Sequence, residues 1–296
     1  MSAYHNPDWA ECYDLWVRYL FGDGPAEDIP VIEALLKELL AGTRQPNFKI
    51  IDIGTGSGRV PIYLQRCIRE HSLHLPPAGS VFQDPITFDI VGIEPASAML
   101  DRAQRFWGEE VKKNDGSTLP RFSDRWIQCA ASDFAQHILP SVGKVDLIIF
   151  AAGGITHVTT DSAITSFLQG VSQTLSETGK AIVSILHDTL PENLQDKVET
   201  VSSRAAKPTV IPSEDKPGEV YVKYPTSQTW SEHVRSEKFR LDVENEEGTV
   251  LRSHDLQWDM RMFDKEKWET MLVEAGLKVD RVVDGGIQFW YILAKA

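Results

Sequence analysis

The chain has 296 residues, enough for one large α/β domain with an insertion or for two smaller domains. Its 42% hydrophobic and 25% charged content is that of a globular protein. A formal charge of −13, with no Lys/Arg cluster to offset it, argues against a nucleic-acid partner, because that affinity comes largely from basic side chains releasing phosphate counterions.

Three isolated cysteines, Cys12, Cys67 and Cys129, with no CxxC pair read as reduced intracellular thiols and no zinc site. Met1 to Tyr13 contains no apolar signal core, and the longest apolar run, Val145 to Ile155, is too short to span a bilayer. A cytoplasmic protein, without membrane partner, is the expectation.

Asn6-Pro7 starts a helix, with proline at its first position. Trp9, Tyr13, Trp16 and Leu20 then share one face. The stripe either packs on the domain or forms a lid over a cleft. A loop through Gly22 to Pro25 leads to a second helix, Ile29 to Ala41, with Leu35, Leu36, Leu39 and Leu40 inward. Lys49 to Ile53 reads as a buried parallel strand. It carries Asp52 and runs into Gly54-Thr55-Gly56-Ser57-Gly58. These glycines let the backbone turn sharply and approach a ligand. A helix from Arg59 to Ser72 follows, so strand, glycine turn and helix N-terminus form a nucleotide site. A dinucleotide fingerprint needs its third glycine at position 59, which is Arg.

Leu73 to Pro85 is a loose connection to a second strand, Phe88 to Ile93, ending in Glu94-Pro95. An acid there can accept both ribose hydroxyls of a nucleoside. A helix from Pro95 to Trp107 buries Met99, Leu100, Ala103 and Phe106. Trp126 to Ala130 is the third strand, followed by Ala131-Ser132-Asp133. Val145 to Phe150 is the fourth, leaving Ala151 to His157 at its carboxyl end, where ligands of open α/β sheets sit. Thr159 to Glu177 is a helix closed by Gly179, and Lys180 to Leu186 a strand ending in His187-Asp188. Pro191 to Pro217 has no assigned periodicity. Tyr221 to Met262 alternates, with His254, Leu256, Trp258, Met260 and Met262 on one face of antiparallel strands. Asp264 caps a last helix, and Leu277 to Val283 with Ile287 to Ala294 forms a terminal hairpin around Gly285-Gly286.

Acid-x-Gly-x-Gly-x-Gly on a first strand resembles motif I of the class I S-adenosylmethionine (SAM) methyltransferases. The order of elements from about residue 45 onward resembles the same family, whose sheet ends in a hairpin. Within it the layout is similar to small-molecule N- and O-methyltransferases, including those acting on amino sugars. The resemblance implies a doubly wound seven-stranded sheet with an antiparallel last strand, and an antiparallel insertion as substrate cover. The units expected are an N-terminal helical lid (1–44), a SAM-binding domain (45–186 and 263–296) and the inserted cover (187–262).

By the same resemblance the cofactor is SAM, held by Tyr13, Asp52, Gly54, Thr55, Gly56, Gly58, Glu94, Pro95, Ser132, Asp133 and Ala151. Asp52 faces its ammonium and Asp133 is the nearest acid for the adenine. Phe150 to Gly154 lacks the Asn/Asp-Pro-Pro motif of nucleic-acid amino-methyltransferases, and no carboxylate cluster suits a divalent metal. Metal-independent methyl transfer to a small molecule is therefore expected, on N or O, by a monomer or homodimer. A hydroxyl acceptor needs a base, and His157, His187 and His254 are candidates in that order. Trp16, His157, Trp230, His254, Trp258 and Arg261 are expected to line the acceptor site. Two alternatives stay open: a SAM-binding protein without methyl transfer, and a nicotinamide oxidoreductase, which Arg59 and the terminal hairpin oppose.

Overall fold

The computed structural model describes residues 3–21, 27–43, 45–75, 84–113, 121–190, 208–231 and 233–296. The loop expected at Gly22 to Pro25, much of Leu73 to Pro85 and most of Pro191 to Pro217 lie outside them, as does the Leu20 side chain.

Two helices lead into the sheet, α1 (Pro7–Phe21) and α2 (Asp28–Gly42). Pro7 is the first helical residue, and Asn6 Oδ1 accepts the Trp9 N–H, which would otherwise be unsatisfied. The main sheet contains β1 (Asn47–Ile53), β2 (Thr87–Ile93), β3 (Phe122–Ile127), β4 (Val145–Phe150), β5 (Leu175–Leu186), β10 (Leu277–Asp284) and β11 (Gln288–Lys295). Its spatial order is β10-β11-β5-β4-β1-β2-β3. All pairings are parallel except those of β11, which runs antiparallel to both β5 and β10. The strand order reverses between β1 and β4, so the carboxyl ends of these two flank the crevice where open α/β sheets bind ligands.

Helices cover both faces. α2, α3 (Arg59–Glu70) and α4 (Ser97–Lys113) lie over one apolar layer that includes Leu36, Ile50, Leu64, Ile90 and Trp107. α5 (Phe134–Ser141), α6 (Asp161–Thr174) and α7 (Lys265–Glu274) lie over the other, with Ile51, Phe134, Phe150, Phe167, Leu168 and Trp268. Asp264 caps α7 by accepting the Lys267 N–H, and Gly276 follows in the left-handed region.

A second sheet, β6 (Thr209–Pro212), β7 (Glu219–Trp230), β8 (Val234–Asn245) and β9 (Val250–Arg261), is wholly antiparallel. Its apolar face (Ile211, Tyr221, Phe239, Leu241, Val243, Leu256, Trp258) forms a third core with Trp9, Cys12 and Leu15 of α1. The first helix and the insertion therefore bury each other's apolar sides.

Several boundaries differ from the sequence reading. β3 lies four residues earlier, because this edge strand is only half-buried and carries little hydrophobic signal. α5, short and ending near Pro140, has no counterpart in that reading. α6 stops at Thr174 and β5 starts at once, so Gly179 lies within a strand and closes no helix. Trp107, not Phe106, is the buried aromatic of α4; Arg102 and Arg105 lie over the Phe106 ring at 5.0 and 4.9 Å.

Candidate active site

The glycine loop is built by backbone that side chains resist. Gly54, Gly56 and Gly58 have φ of +63°, +56° and +87°, the region glycine enters without a steric penalty. A Cβ on Gly54 would meet the Phe150 ring at 2.9 Å, and one on Gly58 would meet Ala103 at 3.2 Å. One on Gly56 would meet nothing within 4 Å. Two glycines thus serve packing, while Gly56 faces open space, as a close-approaching ligand requires. Thr55 is buried, its backbone N–H given to the Ile93 carbonyl.

Two acids flank this loop. Asp52 is buried at the end of β1, and its Oδ2 has no hydrogen-bond partner. Burial pushes its pKa from 3.8 to about 7, against the pull of Thr55 and Arg59. An orphaned buried acceptor is costly unless a ligand completes it. Glu94, at the end of β2, accepts the Gly56 N–H through Oε2 and the Ala96 N–H through Oε1, each at 3.0 Å. It joins the loop to the next helix, and each oxygen keeps a lone pair for a further donor. Burial raises the Glu94 pKa although both backbone bonds lower it.

The third wall comes from the N-terminus. His157 follows β4 in a 3-10 turn (Gly154–His157) and contacts two other elements. Its Nδ1 lies 2.9 Å from the Asp259 carbonyl oxygen, so Nδ1 carries the proton and Nε2 the lone pair. The Tyr4 hydroxyl, 3.2 Å away, donates to that Nε2. Water reaches the imidazole although protein surrounds it, as for a group lining a cleft; burial lowers its pKa more than the Asp259 carbonyl raises it. The Tyr4 ring sits 5.2 Å from His157 and 5.4 Å from Tyr13. Burial raises both phenols, and the nearby Glu94 raises them further. His157, Tyr4, Tyr13 and Glu94 therefore form one cluster running from the β4 edge to the glycine loop. Tyr4 carries no motif and is found only in three dimensions.

Ala152, between His157 and β4, has φ +52°, a strained value for a residue with a Cβ. Ala151 beside it accepts the Gly154 N–H, and a Cβ on Gly154 would strike Phe150 at 2.5 Å. Pro95 is exposed beside Glu94, and its carbonyl accepts from Gln128 at 3.2 Å. Ser132 and Asp133 form the turn between β3 and α5, with Asp133 exposed.

Acids on α1 lock it in place. Asp14 accepts the Ser57 hydroxyl at 2.7 Å and Arg102 at 2.8 Å, tying α1 to the glycine loop and to α4. Glu11 accepts from Ser213, Tyr221 and the backbone N–H groups of Glu214 and Asp215. Asp8 accepts from Lys216, Arg252 and His254. Burial opposes its charge, but those bonds bring its pKa down to about 2. Asp8, Glu11 and Asp14, three residues apart on one helix, bolt the insertion to the main domain.

Several expected site residues sit in this packing. Trp258 is buried between Trp9 (5.5 Å), Trp16 (5.8 Å) and Phe239 (5.5 Å). The Lys223 ammonium occupies the box these four rings make, 4.5 Å from the Trp16 and Trp258 rings, with Glu237 at 3.6 Å. His254, 2.9 Å from Asp8, belongs to the α1 ion cluster and has no contact with His157. His187 stacks on Phe289 at 3.9 Å and pairs with Asp284 in the terminal hairpin. Arg261 is buried against Thr159 and Asp161 at the start of α6. Trp230 is exposed, with the Arg235 guanidinium 5.7 Å from its ring. His157 and His187 both follow central strands at the carboxyl edge, but His187 is committed to Asp284 and His254, in the insertion, to Asp8, whereas the acceptor nitrogen of His157 faces only a phenol.

No family model matches the chain. It is 28% identical over 252 residues to the N-methyltransferase FrzE of a Cladobotryum species, covering 82% of this chain and 78% of that protein. The chain has the fold of the class I SAM-dependent methyltransferases. Solved methyltransferases share the fold. The sugar N-methyltransferase KedS8 from Streptoalloteichus has a TM-score of 0.60 at 15% identity, over 96% of this chain and 93% of that one. The SAM-bound amino pentose methyltransferase CalS10 from Micromonospora echinaspora has a TM-score of 0.58 at 15% identity, over 96% and 97%. The glycine loop fits SAM chemically: the open side of Gly56 admits a close ligand, and the orphaned Asp52 oxygen suits an ammonium. Among the described residues no helix is long and apolar enough to cross a membrane.

Proposed function

We propose that this methyltransferase acts on an amine of a small organic molecule, with Tyr4 and His157 receiving the proton the amine loses. SAM when bound supplies the electrophilic methyl group. Asp52 holds its ammonium and Glu94 its ribose hydroxyls, while Gly54 to Gly58 wrap the amino-acid part. Ser132, Asp133, Pro95 and Ala151 line the nucleoside side, and Tyr13 closes it from α1.

The observation that carries the reading is the Tyr4–His157 pair. A neutral imidazole with its Nε2 lone pair aimed at a phenol is a resting proton acceptor. Tyr4 can pass its proton to Nε2 while taking one from a substrate ammonium, so the amine reacts as a free base. Much of the acceleration comes from holding amine, methyl and sulfur in line, which needs no metal. The name of the curated relative supports nitrogen over oxygen as acceptor.

The N-terminal segment (1–44) and the insertion (187–262) together form the cover, joined through α1, and the domain 45–186 with 263–296 holds SAM. Trp16 and Trp258 support this cover from behind; Trp230 and Arg235 stand nearer its rim. The charge of −13 and the unbridged cysteines suit a cytoplasmic enzyme without nucleic-acid partner, working as a monomer or homodimer.

Matched pairs of secondary amines and alcohols on the same carbon skeletons test the acceptor. Amines should be methylated with a rate that rises through one ionisation, and His157→Ala should shift that profile toward the free amine's own pKa. Turnover of the alcohols alone would overturn the nitrogen assignment.

A further inference from the structure

Away from the methyl-transfer cleft, three donors of different chemistry meet between α2 and α3. Cys67 lies in the last turn of α3 and His71 is its C-cap four residues on, its N–H given to the Cys67 carbonyl, so the two side chains come to the same side. That side meets Glu33 of α2. Glu33 Oε1 lies 2.9 Å from His71 Nδ1, and Cys67 Sγ lies 3.7 Å from the same nitrogen. All three donor atoms fall within 4.8 Å of one another. A tetrahedral zinc centre would space sulfur and nitrogen about 3.6 Å apart and nitrogen and oxygen about 3.3 Å apart, from its usual bond lengths. The two distances to His71 Nδ1 match that spacing to within tenths of an ångström, and the sulfur and the carboxylate lie within 4.8 Å of each other.

We propose that Glu33, Cys67 and His71 form a structural site for zinc or a cation of similar softness. One thiolate, one imidazole and one carboxylate are a borderline-soft set that zinc takes and calcium or magnesium does not. Water completes the fourth position, or the Tyr63 hydroxyl, which already donates to Glu33 Oε2 at 2.7 Å. Cys67 is buried while the His71 side chain is 44% exposed, so the cation has a way in. The expectation of no zinc site rested on the missing CxxC pair; this set is built instead from a Cys-x-x-x-His spacing and a second helix.

One group opposes the cation. The Lys37 ammonium pairs with Glu33 Oε1 at 2.5 Å and must swing away, which its exposed stem allows. The site then joins the second turn of α2 to the C-terminal end of α3, while Asp28 and Arg59 pair bidentately (2.9 and 2.6 Å) at the starts of the same two helices near the glycine loop. Cys67 is nine residues from Gly58, about 13 Å along the helix, so the cation takes no part in methyl transfer.

Cobalt(II) is the probe. Chelator-treated protein titrated with Co²⁺ should develop thiolate-to-cobalt charge-transfer absorption and tetrahedral d–d bands, displaced by one equivalent of Zn²⁺. Cys67→Ser should abolish the charge-transfer absorption, and His71→Ala should weaken zinc binding by about tenfold or more. Lys37→Ala should tighten it several-fold, which no purely structural role of the Glu33–Lys37 pair explains. Zinc should raise the melting temperature of the wild type and not of Cys67→Ser, whose metal-free fold is checked by circular dichroism. Absence of the absorption at about 100 μM Co²⁺, a threshold of roughly −5.5 kcal/mol, would overturn the site. So would absorption that survives Cys67→Ser, since it would come from Cys12 or Cys129.

Discussion

The protonation of Asp52 should control cofactor affinity. In the ligand-free protein its pKa is raised from 3.8 to about 7, because the carboxyl is buried and one oxygen has no partner. An ammonium placed against that oxygen restores the ionised form, so binding SAM requires Asp52 to lose its proton. With a free-state pKa of about 7, roughly 3% is ionised at pH 5.5 and half at pH 7, which makes SAM bind about 15-fold tighter at the higher pH. The sign for stability is opposite. A carboxyl whose folded pKa is raised stabilises the fold below its unfolded pKa. The ligand-free protein then loses on the order of 4 kcal/mol as pH rises from about 4 through 7. Calorimetric titration with S-adenosylhomocysteine, which keeps the ammonium but not the sulfonium charge, isolates the Asp52–ammonium interaction over pH 5.5 to 7. Asp52→Asn should bind weakly and lose most of the slope. A wild-type affinity flat over that range, or an unchanged slope in Asp52→Asn, would show that Asp52 does not hold the ammonium.

Glu94→Gln should weaken SAM binding by about 1–3 kcal/mol and also lower the melting temperature, because Glu94 accepts the Gly56 and Ala96 N–H groups; intact stability would mean those bonds are not formed. Tyr4→Phe and His157→Ala should each cut kcat by about 10²-fold or more below neutral pH, with SAM affinity changed less than twofold. A pure KM effect would make the pair a substrate contact only. Trp258→Ala should destabilise by about 3–5 kcal/mol in denaturant titration, since it opens a cavity against Trp9 and Trp16; a stable variant with raised acceptor KM would restore it as a substrate contact. Asp14→Asn should speed SAM release in stopped-flow, because Asp14 ties α1 to Ser57 of the glycine loop.

What the sequence reveals follows the range of the interactions. Lys49 to Gly58 is legible because strand, turn and helix start are all encoded within a few neighbouring residues. Glu94 and the terminal hairpin are legible for the same reason. The alternation of Leu256, Trp258 and Met260 identified a buried face but not its partner. That partner is the aromatic stripe of α1, more than 200 residues away in the chain. Two apolar faces with no visible partner each resembled a substrate wall until they met. His254 looked available because nothing nearby in sequence engages it; Asp8 does so from α1. Asp8, Glu11 and Asp14 drew no reading at all, because their partners lie far away in the chain. Tyr4 gave no signal, since a tyrosine before the first helix carries no motif.

The decisive experiment incubates the protein with SAM labelled in its methyl group and a pool of small amines. One S-adenosylhomocysteine should form for each labelled methyl found on an amine nitrogen, without added metal. Tight SAM binding with no S-adenosylhomocysteine above the uncatalysed background, across a broad amine pool, would contradict it.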